Sequence, residues 1–165
     1  YHQIGVDYAR VIAGFNVRAE FAANITEDLS GDDGGIYNPH LAWSLGFDRD
    51  LQGVNLNLQC NETIRLFDNK VNGDPLLDVE GGSDITATRI TAIVSKKFFR
   101  EELEARVAVM WGMEDRDFLI MPACIWTRDG VSVELSGGIF GGGKGGQFGQ
   151  FRDNSFVKAA LSYRF

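Results

Sequence analysis

The sequence has few of the residues that carry most enzyme and metal chemistry. Its 165 residues include only two cysteines and two histidines. Cys60 and Cys124 form no CxxC motif and have no histidine at a zinc-ligand spacing, so we predict two small apolar residues with no bound metal. No nucleophile, base and orienting group stand at a recognisable catalytic spacing. A pairing of His40 with Ser44 is the one enzymatic alternative, and we predict no catalytic residue and no cofactor.

Long hydrophobic runs and an excess of positive charge are also absent. The longest apolar run covers residues 118–126, well short of the roughly 18 residues that a membrane-spanning helix needs. The sequence therefore predicts no membrane-spanning helix. The formal net charge of −7 argues against nucleic acid as a partner. Twenty glycines and twelve phenylalanines with only three prolines favour a chain of many strands and turns.

A two-residue alternation of apolar and polar residues runs along most of the chain, and it predicts an all-β fold in one domain over residues 1–165. The predicted strands are 3–9, 14–24, 40–48, 54–67, 85–98, 103–113, 118–127, 131–140 and 155–165. Both alternations of the seventh segment are apolar, so its facing stays open. Pro122 predicts a bulge or an edge strand there.

The connections between the predicted strands differ in length. They are short after strands one, three, five and seven, long after two, four and eight, and short again after six. The loops at 25–39 and 68–84 are acidic, with Lys70 as their one basic residue. Their acids are Glu27, Asp28, Asp32, Asp33, Asp68, Asp74, Asp78, Glu80 and Asp84. Calcium or magnesium binding and a cation bias at a pore mouth are alternatives; without DxDxDG order we predict solvated loops and no metal.

The last predicted strand, SFVKAALSYRF, has an apolar residue at every second position. These residues are Val157, Ala159, Leu161, Tyr163 and Phe165. The segment resembles the carboxy-terminal strand of bacterial outer-membrane β-barrel proteins. Lys158, Tyr163 and Phe165 match the polar and aromatic positions of that family signal, and Ala160 stands where the family prefers glycine.

The resemblance implies an antiparallel transmembrane β-barrel in a bacterial outer membrane, with the carboxyl terminus in the periplasm. Its implied partners are outer-membrane lipid, lipopolysaccharide, the barrel-assembly machinery and periplasmic chaperones, and its assembly signal is Lys158, Ala160, Tyr163 and Phe165. The alternation of short turns and long loops is typical of such barrels. They also have low mean hydropathy, because only alternate strand residues face lipid. The oligomeric state stays open.

On such a barrel the polar strand faces would line the interior. The predicted lumen-lining residues are Arg18, Glu20, Asn55, Asn57, Gln59, Arg65, Arg89, Glu104, Arg106, Glu134 and Lys158. Amides in a dry core need partners, and a basic residue facing lipid at the midplane costs about 2–4 kcal/mol. Both effects favour a wet interior for these side chains, and we expect Arg18 and Glu20 to pair.

Nine strands are an odd number, whereas bacterial single-chain barrels have an even number. We therefore predict the carboxy-terminal part of a larger barrel whose earlier strands precede Tyr1. The expected function is a porin-like passive channel for small polar solutes. One alternative is a closed eight-stranded barrel with a structural or surface-binding role, in which residues 1–9 form a tail. A soluble β-sandwich is a further alternative.

Overall fold

The computed structural model describes residues 1–165 and confirms an all-β fold built from one sheet. The nine strands pair in sequence order, each antiparallel to the next, and β1 and β9 form the two free edges. The sheet is therefore not closed. The strands are β1 His2–Ile12, β2 Phe15–Ile25, β3 His40–Leu51, β4 Val54–Arg65, β5 Thr86–Phe98, β6 Leu103–Gly112, β7 Asp117–Arg128, β8 Val131–Gly141 and β9 Phe156–Tyr163.

Two short 3-10 turns, Asp68–Lys70 and Gly149–Phe151, are the helical segments of the chain. None of its helices has the length and apolarity that crossing a membrane requires. No second sheet packs on the first, so the β-sandwich alternative is wrong for these residues.

The first strand is longer than the alternation predicted. β1 pairs with β2 over its whole length, from His2 opposite Ile25 to Ile12 opposite Phe15. The short connection predicted after the first strand, over residues 10–13, is misplaced, because the chain reverses at Ala13 and Gly14. The alternative in which residues 1–9 form a tail is also wrong, since residues 2–9 belong to β1.

The β1–β2, β3–β4, β5–β6 and β7–β8 turns lie at one edge of the sheet, and three of these four share one backbone geometry. Ala13–Gly14, Gln52–Gly53 and Asp129–Gly130 all have two successive positive φ angles, close to 50° and then 80°. This type I′ geometry matches the twist of antiparallel strands, and it favours glycine at the second position. The fourth turn, 99–102, is longer. We call this edge the short-turn end. The opposite edge, with loops 26–39, 66–85 and 142–155 and the short β6–β7 turn 113–116, is the long-loop end.

The strand register keeps one face apolar through all eight pairings. Leu56 lies opposite Val94, Val94 opposite Val107, and Val107 opposite Pro122. Since cross-strand partners point to the same side, these residues define an apolar face. The same register assigns Trp126 of β7 to this face, because it pairs with Leu103 and Val133.

Pro122 lies in a central strand, so the predicted bulge or edge is wrong. The register of β7 and β8 is the same on both sides of it, with Ile120 opposite Ile139 and Ala123 opposite Ser136. Only the pairing of Met121 and Pro122 with β8 is missing. Proline has no N–H to donate, so the ladder is interrupted without a shift in register.

The buried residues of this sheet lie on its polar face, whereas in water-soluble sheets the buried face is usually the apolar one. All six buried strand residues lie on the polar face: Asn24, Arg65, Ala108, Gly112, Asp117 and Gly138. The exposed large hydrophobic strand residues lie on the apolar face, apart from Val11 and Phe156. An antiparallel sheet in water normally covers its apolar face and exposes its polar one.

The turn at Gly130 supplies a stability test. Gly130 and Gly53 have nearly equal φ, +80° and +79°. A Cβ at Gly130 would lie 2.6 Å from the carbonyl oxygen of Arg164, whereas a Cβ at Gly53 would meet nothing within 4 Å. We expect Gly53→Ala to cost about 1 kcal/mol from the left-handed backbone, and Gly130→Ala to cost about 1 kcal/mol more from the added clash. Urea unfolding of both variants measures the difference, and equal costs would contradict the close packing of Arg164 on this turn.

Candidate functional site: the polar face and the long-loop end

The polar face carries all eleven residues that were predicted to line an interior. The strand register places Arg18 and Glu20 on this face of β2, Asn55, Asn57, Gln59 and Arg65 on β4, Arg89 on β5, Glu104 and Arg106 on β6, Glu134 on β8 and Lys158 on β9. They are spread over the whole sheet, so they form a wall and not a compact catalytic cluster.

Several of these side chains bond to neighbours on the same face. Arg18 pairs with Asp48 of β3 at 3.4 Å, so its predicted pairing with Glu20 is wrong. Asn16 donates to the same carboxylate at 2.6 Å. The carboxylate of Asp48 lies across the strand pair from Arg18, whereas Glu20 is two positions along Arg18's own strand.

Arg65 lies on the polar face, but its guanidinium binds groups of the loop between β4 and β5. Its guanidinium donates to the carboxylate of Asp68, to the hydroxyl and carbonyl oxygens of Ser83, and to the carbonyl oxygen of Glu80. Only 9% of the residue is exposed. Arg65 therefore fixes the loop between β4 and β5 over the long-loop end.

The acidic loops are organised by their own carboxylates. Asp28 accepts from the backbone N–H groups of Ser30, Gly31 and Asp33, and the bond from Asp33 does most to lower the pKa of Asp28. Hydrogen bonds from the backbone of Glu80 and then Asn72 lower the pKa of Asp78 in the same way. No three His, Cys, Asp or Glu side chains are close enough to hold a metal ion.

A polar cavity of about 650 Å³ opens at the long-loop end. Ala87 is the one hydrophobic residue of its wall. Glu114, from the β6–β7 turn, closes one side by accepting from the hydroxyls of Thr86 and Thr88 and from the Thr88 N–H. Burial is the largest single effect and raises the pKa of Glu114, but the hydrogen bonds from Thr88, from its own backbone and from Thr86 together leave the pKa below its usual value.

The loop between β8 and β9 folds over the polar face. Arg89, Gly112 and Asp117 are cross-strand neighbours on β5, β6 and β7, and the Asp117 carboxylate lies where a side chain at Gly112 would stand. Phe148 lies buried there, with its ring 5.2 Å from the Arg89 guanidinium. The loop thus reaches three strands across the sheet, about 14 Å at the usual strand spacing.

Asp117 holds this loop in place. Its carboxylate accepts from the N–H groups of Phe148, at 2.6 Å, and Gly149, at 3.3 Å. It is the most buried large side chain of the chain, 1% exposed. Asp117 was not among the residues predicted from the sequence. The nearest signal was Gly112, but its pairing with Asp117 becomes visible only once the register is known.

Phe151 of the same loop covers an apolar patch on the polar face, to which Phe140 of β8 and Phe156 of β9 belong. The ring of Phe140 lies 5.9 Å from that of Phe151 and 6.4 Å from that of Phe156. Leu119, opposite Phe140, belongs to this patch. The polar face is therefore less polar over β6 to β9 than over β2 to β5, which explains why a loop covers it there.

The predicted assembly signal lies on an exposed edge strand. Lys158 and Ala160 share the polar face, and Tyr163 ends β9 on the apolar face. Beyond it, Arg164 donates its N–H to the Gly130 carbonyl at 2.8 Å. Phe165 is fully exposed, with its ring 6.3 Å from that of Tyr163.

The two thiols are free and lie on β4 and β7, which are not neighbours. The registers place Cys60 opposite Leu45 and Cys124 opposite Leu135, so both are on the apolar face. Their position agrees with the prediction of small apolar residues.

Comparison with protein-family models, curated proteins and solved structures finds no match to this chain.

Asp117→Ala tests how the loop is held. The substitution leaves the N–H groups of Phe148 and Gly149 without an acceptor, which costs about 1–3 kcal/mol. Lys144 is exposed in the folded loop, so opening of the loop should free the backbone around it to enter the protease, and trypsin should cut there at least about fivefold faster. Asp115→Ala, which removes an exposed neighbouring acid that bonds to nothing in the loop through its carboxylate, is the matched control. Unchanged cleavage in Asp117→Ala would contradict the assigned anchor.

Proposed function

We propose that this chain is part of a membrane-spanning β-barrel of the bacterial outer membrane, and that its polar face lines a passive channel for small polar solutes. The observation that carries the proposal is the inverted burial of the sheet. All buried strand residues lie on the polar face, while the apolar face is uncovered over nine strands. An apolar surface of this extent requires a covering, since monomers in water rarely expose more than a few hundred Å².

The distribution of side chains on the apolar face favours lipid as its covering. Aromatic residues stand towards both ends of this face: Trp43, Trp111 and Phe118 towards the long-loop end, and Phe15, Phe98, Trp126 and Tyr163 towards the short-turn end. Between them the charged residues of the apolar face are Arg10 and Lys96, each two positions from the short-turn end of its strand, and the middle of the face is uncharged. Aromatic girdles on both sides of an apolar zone are typical of transmembrane barrels.

The two free edges favour further strands in the complete barrel. β1 and β9 both run from the long-loop end to the short-turn end, because in a sheet with an odd number of antiparallel strands the first and the last strand run in the same direction. Joining them would create a parallel seam in an otherwise antiparallel sheet. An unpaired edge is not tolerated in the hydrocarbon region, so we propose an odd number of additional strands between β9 and β1.

The wall of the polar face suits a water-filled interior. Its amides and charges of both signs are spread across the sheet, and loop 142–155 narrows the space above β5 to β8. Eight strands leave room only for side chains, whereas about sixteen enclose an aqueous channel. The acidic loops at the long-loop end would favour the entry of cations.

Two adjacent residues of β4 test which face meets lipid. Leu58→Arg places a cation on the apolar face, at a cost of about 2–4 kcal/mol in the membrane, and should reduce the inserted, heat-modifiable fraction strongly. Asn57→Arg places the same group on the polar face opposite Asp48 and should insert normally. Equal insertion of the two variants would contradict the facing that we propose.

The channel is tested with the full-length protein in planar bilayers. We expect stable conductance steps with a preference for cations at low salt, where the acidic loops are least screened. Folded, inserted protein that gives no steps would rule out the channel. It would then favour a closed barrel with a structural or surface-binding role.

A further inference from the structure

Four basic residues stand in a row along one border of the apolar face. Arg10, Arg49, Lys96 and Arg128 lie on β1, β3, β5 and β7, each close to the short-turn end of its strand. Their cross-strand partners are apolar: Val17, Leu56, Val54 and Val131, respectively. We call these four residues the basic row. Alternate strands are about 10 Å apart, so the four side chains are separate from one another.

The charged ends of Arg49, Lys96 and Arg128 turn towards the short-turn end. Arg49 donates to the carbonyl oxygen of Ala13 in the first turn at 3.2 Å, and its guanidinium lies 4.7 Å from the Phe15 ring. The amine of Lys96 lies 5.6 Å from the ring of Phe98, the last residue of β5. Long basic side chains at an apolar surface place their stems on it and their charges at the polar boundary.

The guanidinium of Arg128 also turns towards the short-turn end, where it meets two carboxylates. Its guanidinium lies 3.9 Å from Glu102 and 3.4 Å from Asp129, which both belong to short turns. Arg128 is therefore partly neutralised by the protein. The other three members form no ion pair.

The border of the apolar face at the long-loop end carries an acidic side chain and lacks a row of cations. Its one strand carboxylate is Glu62, which accepts from the indole N–H of Trp43 at 2.6 Å. His2, at the start of β1, is the one basic side chain of the strands at that border, and no lysine or arginine of the strands stands there. The apolar face thus carries its lysine and arginine charges along the short-turn end alone, and three of these four cations lack a carboxylate.

We propose that the basic row binds the phosphate groups of anionic phospholipids in the leaflet at the short-turn end. The proposal rests on the proposed function, in which lipid covers the apolar face. A phospholipid fits both parts of the surface, because its chains meet the apolar strands and its phosphate meets the cations beside them. The separation of the four side chains allows each to meet a different headgroup.

The test uses the full-length protein reconstituted in bilayers of phosphatidylcholine with a minor share of phosphatidylglycerol. Spin-labelled forms of both lipids report which of them is immobilised at the protein surface. We expect the native protein to prefer phosphatidylglycerol severalfold, since each basic residue near a membrane surface attracts anionic lipid by about fivefold. Arg10→Gln/Lys96→Gln should lower that preference by at least about threefold. The matched control, Arg116→Gln/Lys144→Gln, removes the same charge from the long-loop end and should keep it.

The outcomes separate the two proposals. Inserted native protein with no preference for phosphatidylglycerol, or an equal loss in both double variants, would overturn the lipid site while leaving the barrel intact. Protein that never enters the bilayer would overturn the barrel and the lipid site together. Loss of the preference in Arg10→Gln/Lys96→Gln alone would support the site, and raised salt should weaken the preference in the native protein because the contact is ionic.

Discussion

The register between neighbouring strands is the constraint on which the rest of the structure depends. Side chains alternate between the two faces, so a shift of one residue in any pairing would exchange the faces of every later strand. No such shift occurs from β1 to β9. Arg89 can meet Phe148 only because Gly112 and Asp117 fall beside it on the same side, and the basic row borders an unbroken apolar surface for the same reason.

Most of the sheet was predictable from the sequence, because the alternation of side chains is itself the signal of a two-faced strand. The nine segments, the side of the sheet on which Arg18 or Lys158 stands, and the order of short and long connections all follow from local pattern. Strand ends were less certain. β1 continues to Ile12 because β2 pairs with it as far as Phe15. The alternation within one segment cannot reveal how far its neighbour extends. The two faces of β7 needed the pairing with β6, since both its alternations are apolar.

The long-loop end was the least predictable part. Asp117 is an ordinary acid at a strand start in the sequence, and its role depends on where a loop thirty residues later folds. The same applies to Arg65, whose pattern placed it correctly on the polar face but whose charge is taken up by Asp68 and Ser83. Alternation identifies the face of a residue, whereas the partner of a long side chain depends on loops that carry no periodic signal.

The missing pairs at Met121 and Pro122 have a mechanical consequence for the sheet. Gly137 and Gly138 lie opposite this interruption, so the two strands lack backbone hydrogen bonds there and β8 has no side chain to pack against Met121 and Pro122. Sheets turn corners most readily at glycines and broken ladders. The boundary between β7 and β8 is therefore the point of least bending resistance, and a sheet that curls into a cylinder would take up its sharpest curvature along this line.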